Sequence, residues 1–143
     1  MSGRSLDDLL AAIDKVEGWL SPDQAVRLFA AAAATSVGQQ IVEIGSFRGR
    51  STVVLAGAAP DGVEVVAIDP HAGNDRGPRQ ISGFIDEAAD DHDAFNANLV
   101  DAGVAERVRH IREFSHWAHD EVSGTIAVLY IDGAHRYAPA QSD

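Results

Sequence analysis

Cysteine is absent from the 143 residues, which rules out disulfides and thiolate metal sites and leaves the redox compartment open. No apolar run is long enough to span a bilayer, and the first residues carry no apolar signal segment. A soluble cytoplasmic protein is therefore expected, without a membrane partner. Basic residues are scarce: 11 Lys and Arg face 22 Asp and Glu, for a formal net charge of -11. Affinity for nucleic acid rests largely on Lys and Arg neutralising phosphates, so this balance argues against a nucleic-acid partner and for a small molecule. Apolar residues make up 45% of the chain, enough for one small core. No linker composition, internal repeat or low-complexity segment divides it.

The stretch Ile41 to Thr52, IVEIGSFRGRST, is a short apolar strand running into a glycine turn that opens a helix from Arg50. Gly45 allows a tight exit from the strand, Gly49 allows close backbone approach to a ligand, and the first N–H groups of the helix face the same space. Such a turn is a cradle for a nucleotide-like molecule, with Glu43 as a nearby carboxylate. The dinucleotide fingerprint G-x-G-x-x-G fails here, because Phe47 and Arg50 occupy its second and third glycine positions. A phosphate-binding P-loop is weakened twice: only Ser46, Phe47 and Arg48 separate the glycines, and Arg50 stands where Lys belongs. Glycines that serve packing alone are the remaining structural alternative.

Two further elements repeat the design. VEVVAIDPH is an apolar run of buried-strand type ending in Asp69, about twenty residues past Gly49, where a second-strand carboxylate reaches a ribose diol in doubly wound folds. IAVLYIDGAHRYAPAQSD, from Ile126 to Asp143, is another apolar strand ending in Asp132, followed by His135, Tyr137 and Pro139. Together E-x-G-x-x-x-G-x-S-T, AIDPH and strand-Asp-Gly-x-His-x-Tyr resemble the class I S-adenosylmethionine (SAM) dependent methyltransferases. The resemblance is to the group with sugar and macrolide O-methyltransferases and cephalosporin hydroxylase-like proteins, and it extends from about Glu17 to the last residue.

The resemblance implies that Gly45, Ser46, Gly49 and Ser51 surround the methionine part of SAM, with Glu43 beneath it and Asp69 on the ribose. It places Ser115 on the adenine side, although Glu113-Phe114-Ser115 stands where Gly-Asp-Ser is usual, and Trp117 would lie beside the adenine. It makes Asp132 the first ligand of a divalent cation such as Mg2+ and His135 the general base. A hard cation lowers the pKa of a bound hydroxyl, and neutral imidazole, with an ordinary pKa of about 6.5, accepts the proton. The expected activity is O-methylation of a small hydroxylated molecule. A SAM-binding module without catalysis and a P-loop-like nucleotide-binding protein are the alternatives.

Leu6, Leu9, Leu10, Ile13 and Val16 recur at helical spacing after Ser5, and Ser21-Pro22-Asp23-Gln24 is a helix start for Ala25 to Thr35. Residues 1–37 are thus expected as leading helices packed on a core of residues 38–143. A short helix is predicted around Gln80 to Ala89 and a separate amphipathic one from Asp93 to Ala102, ended by Gly103. Strands near residues 41, 64, 108 and 126 alternate with helices, predicting a Rossmann-like α/β parallel sheet of order 3-2-1-4 with helices on both faces. That is the first half of a seven-stranded methyltransferase fold, so a longer protein is expected. Strand four would then expose its outer edge and favour homo-oligomers. Trp19 is expected to pack the leading helices on the sheet. The acidic cluster Asp86, Glu87, Asp90, Asp91 and Asp93 is expected to be a solvated helix face, and His116 and His119 surface histidines.

Overall fold

The computed structural model describes residues 4–71 and 84–132, with the backbone alone for 84–89. Two helices come first, α1 (Leu6–Ile13) and α2 (Pro22–Ala33). Ser5 caps α1 by accepting from the Asp8 N–H, and Ser21 and Gln24 close a reciprocal capping box on α2, with Pro22 in its first turn. The α/β alternation follows: β1 (Gln39–Ile44), α3 (Arg50–Ala58), β2 (Glu64–Ile68), α4 (Phe84–Asp101), β3 (Val108–Ile111), α5 (Ser115–Ala118) and β4 (Thr125–Ile131). All pairings are parallel and the order is β3-β2-β1-β4, as the strand and helix alternation predicts.

Alternation along the strands divides the core between two faces. Ile41, Val65 and Ala67 join Leu9, Ile13, Leu28, Val53, Leu55, Phe95 and Leu99 on the face covered by α1 to α4, so the leading helices share the main core. Val42, Ile44, Val66, Ile68 and Ile111 form a smaller cluster with Ala118 of α5 on the other. Arg50, at the start of α3, ties the leading segment down. Its guanidinium donates to the carbonyls of Ile13 and Val16, and its Nε to that of Leu20 at 2.9 Å.

Three expectations need correction. Instead of two helices there is one, α4, running unbroken for 18 residues. The polar run between Ala89 and Asp93 does not break it because Asp91 is buried and bonded to Arg48, with Phe95 and Leu99 in the core beyond it. The acidic cluster is accordingly not wholly solvated: Asp90 and Asp93 are exposed, Asp91 is not, and the side chains of Asp86 and Glu87 lie outside the described residues. Trp19 does not pack helices on the sheet. It is 76% exposed, and its ring lies 5.2 Å from that of Phe47.

Among the described residues β4 is an edge strand, with Ile126, Leu129 and Ile131 exposed. His116 and His119 are exposed, and no described helix is long and apolar enough to cross a membrane.

Helices α1 and α3 pack closely at Gly57 of α3, where a Cβ would meet Leu9 Cδ2 at 2.3 Å. Leu9 is fully buried and cannot swing aside. Gly57→Ala gains about 1 kcal/mol of helix propensity but overpacks a closed site, a change that typically costs about 1–3 kcal/mol. Urea unfolding should show a net loss of stability. An unchanged or raised midpoint would mean that α1 shifts freely on α3.

Candidate functional site

The four parallel strands end their carboxyl termini at one rim. The chain leaves β1 through Gly45 at φ 90°, whose N–H donates to the Ile68 carbonyl at 2.8 Å and binds the turn to β2. Gly49 closes the turn at φ 91°, donates to the Ser46 carbonyl at 2.9 Å and begins α3 without a side-chain cap. The first N–H groups of α3 are therefore left for other partners. The space a Cβ on Gly49 would take is filled by Phe95 of α4 at 3.3 Å, so this glycine serves helix packing as well as the positive φ. Ser46 is buried, and its hydroxyl has no hydrogen-bond partner among the described residues. A buried hydroxyl of this kind costs roughly 1–3 kcal/mol until a ligand or water pairs with it.

Glu43 lies beneath the turn, fully buried, and accepts from the hydroxyls of Ser51 and Thr52 at the start of α3. Burial pushes its carboxyl up from 4.5 to about 7. The two hydroxyls oppose that rise, and the charges of Asp69 and Asp132 add to it.

Asp69 follows β2 directly. Its Oδ2 accepts the Phe47 N–H and its Oδ1 the His71 N–H, both at 2.8 Å. Phe47 and His71 are the described non-glycine residues with positive φ, each at 48°. One carboxylate thus holds two strained turns, the one after β1 and the one after β2.

Two recesses flank this centre. An open depression of about 580 Å³ lies beyond β2 and β3, lined by Pro70, Arg112, Glu113, Phe114, Trp117, Asp120 and Glu121. Trp117 is 69% exposed on it, whereas Ser115, the first residue of α5, is buried. Between β1 and β4, Trp19, Ser46, Phe47, Ser51 and Asp132 line a narrow cleft. Asp132 is fixed there by its own N–H on the Ile44 carbonyl at 2.8 Å. The predicted SAM-side residues Glu43, Gly45, Ser46, Gly49, Ser51 and Asp69 are therefore brought together, Asp132 joins them across the cleft, and Ser115 and Trp117 stand on the other side of Asp69. His135, Tyr137 and Pro139 lie outside the described residues. Among the described residues no set of three metal-ligating groups forms around Asp132.

A group not foreseen from the sequence adjoins the Asp69 turn. His71, His92 of α4 and His110 of β3 converge, with ring centroids 4.6 Å to 5.6 Å apart and Phe95 packed on two of the rings. Burial pushes His71 down to about 4, against the attraction of Asp69, and lowers His110 as well. Three histidines on separate elements, about twenty residues apart, form no local motif. Only the strand register and α4 bring them together.

A parallel sheet with a glycine turn and two strand-end carboxylates at its switch point defines an α/β domain built to hold a nucleotide-like cofactor. The chain belongs to the methyltransferase domain family, which matches residues 42–143. Among curated proteins none matches it. Similar solved structures include cofactor-bound Rv0187 from MTB, at 25% identity over 90% of this chain and 52% of that one, with a TM-score of 0.59. The O-methyltransferase TomG from Streptomyces achromogenes, in complex with SAM, is 20% identical over 92% of this chain and 55% of its own, TM-score 0.61. An O-methyltransferase from Bacillus cereus in complex with SAH is 21% identical over 90% and 53%, TM-score 0.59. The chain thus spans about half the length of the structures it resembles.

The folded protein holds the Glu43 proton more tightly than the unfolded chain does. The stability this confers is complete below the unfolded value of 4.5 and lost as pH rises through about 7. Between about pH 5 and about pH 8 this should amount to roughly 2–3 kcal/mol. Glu43→Gln should flatten that part of the pH dependence in urea unfolding and be the more stable protein on the alkaline side. Parallel pH curves for the two proteins would show that Glu43 ionises without penalty.

Proposed function

We propose that this domain binds SAM and is the cofactor-holding part of a SAM-dependent methyltransferase acting on a hydroxyl oxygen of a small molecule. The observation that carries this is the Asp69 carboxylate fixing the glycine turn at the switch point, with the buried, unpaired Ser46 hydroxyl beside it. Each Asp69 oxygen accepts one backbone N–H and keeps lone pairs for a ribose diol, since a carboxylate has about four acceptor sites. The recess along Pro70, Phe114 and Trp117 offers aromatic surface on the side where a base would extend from that ribose. SAM is cationic at sulfur and at its amino group, which suits a cradle ringed by Glu43, Asp69 and Asp132. Its contribution is an electrophilic methyl group; the protein has to align the acceptor with it and exclude water.

On the acceptor side the resemblance assigns the proton to His135. For Mg2+, Asp132 alone does not make a site among the described residues, and no step is assigned to the ion. The nucleotide-hydrolase alternative weakens further. Arg50 stands where a P-loop has its lysine, yet its guanidinium is engaged by the carbonyls of Ile13, Val16 and Leu20.

Calorimetric titration should show SAM binding and no ATP binding. Asp69→Ala should weaken SAM at least about tenfold, the equivalent of losing charge-assisted hydrogen bonds of about 1.5–3 kcal/mol. An unchanged SAM affinity in that variant would place the ribose elsewhere.

Transfer of a labelled methyl group from SAM into small hydroxylated acceptors separates an enzyme from a binding module. His135→Ala should lower that transfer by about 100-fold or more and leave SAM affinity unaltered. Full transfer in the variant would remove His135 as the base, and SAM binding without transfer to any acceptor would favour the module.

A further inference from the structure

We propose that His71, His92 and His110 form a binding site for a divalent transition-metal ion of the zinc type, beside the turn that Asp69 organises and separate from Asp132. One ring nitrogen from each histidine lies within 4.8 Å of the others, and the Nδ1 atoms of His71 and His92 are 2.9 Å apart. Nitrogens held tetrahedrally at about 2.0–2.1 Å from zinc sit roughly 3.3 Å from one another. The cluster therefore needs a shift of a few tenths of an ångström for the close pair and a contraction of up to about 1.5 Å for the rest.

The atoms around the rings favour the ligand form. His110 Nε2 lies 3.1 Å from the Asp69 carbonyl oxygen, which can only accept, so Nε2 carries the proton and Nδ1 keeps its lone pair. A backbone carbonyl on the distal nitrogen is the usual support of a metal-bound histidine. Asn96 Nδ2 lies 3.2 Å from His92 Nε2; a half-turn of the amide, exchanging its nitrogen and oxygen, would put an acceptor there and leave His92 Nδ1 its lone pair for the ion. His71 brings its Nδ1 to the cluster, beside that of His92, while its buried Nε2 has no hydrogen-bond partner among the described residues.

The donor set decides the class of ion. Three imidazoles without a thiolate suit zinc and its neighbours, whereas Mg2+ and Ca2+ require oxygen ligands. The three ligands come from the β2 turn, α4 and β3, so a bound ion would pin α4 to the sheet.

Equilibrium dialysis of the full chain against Zn2+, with metal content measured afterwards, should give about one ion per chain. Co2+ in its place should show the intense visible bands of a four- or five-coordinate nitrogen site. His92→Ala and His110→Gln should each weaken binding at least about tenfold, while the doubly substituted His116→Ala, His119→Ala protein should bind as the parent does. In the parent protein, nitrogen NMR of the rings should move three imidazoles on adding Zn2+, a result independent of whether the variants fold. Absence of stoichiometric binding, binding unaffected by His92→Ala and His110→Gln, or ring shifts confined to His116 and His119 would each overturn the site.

Discussion

The carboxylate of Asp69 is the contact on which the site depends. Phe47 and His71 both occupy the left-handed region, where an L residue costs about 1–2 kcal/mol. Each gives its N–H to one Asp69 oxygen, and a hydrogen bond to a charged group contributes about 1.5–3 kcal/mol. The two bonds outweigh the strain, so the turns keep shapes they would not hold alone. Phe47 belongs to the cradle and His71 to the histidine cluster. A change at either place is felt at the other through a single side chain.

Around that centre, charged groups are used mostly to hold backbone. Arg50 gathers carbonyls from the end of α1 and the segment before α2 onto the first turn of α3. Arg48 reaches from the turn to Asp91 of α4 at 2.9 Å and to Glu17 at 3.0 Å, while its carbonyl accepts from Asn98 at 2.9 Å. The pair with Asp91 is buried on the acid's side, where losing the guanidinium would leave a charge in apolar surroundings. The glycine turn is thereby clamped from α4, from the leading segment and from β2.

Local pattern made most of this legible. The strands are apolar runs, the caps at Ser5 and Ser21 have their signature residues, and the glycines mark the turn, so the sheet order and the gathering of Glu43, Gly45, Gly49 and Asp69 followed from neighbours in the chain. Features that depend on distant partners did not show. Asp91 looked like part of a solvated acidic face because its partner Arg48 lies forty-three residues away. Trp19 looked like a core residue because size suggests burial, yet it meets Phe47 at the mouth of the cleft. Three lone histidines on three elements carry no spacing that marks a cluster.

Electrostatics then separates the ligands this cradle can hold. Glu43, Asp69 and Asp132 converge on the turn, and burial raises the Tyr130 hydroxyl to about 12, with the charges of Asp132 and Glu43 adding to the rise. A polyphosphate would bring further negative charge to this rim. Among the described residues the two guanidinium groups of the turn are engaged, Arg50 on carbonyls and Arg48 on carboxylates, so drawing either to a phosphate would break contacts that shape the turn. Unit charges 4 Å apart interact by about 4 kcal/mol at an effective dielectric constant of about 20. Repulsion from a single carboxylate at that distance would cancel a good hydrogen bond. A ligand with positive charge gains from the same geometry, and by favouring ionised Glu43 it would relieve part of the cost of burying that carboxyl.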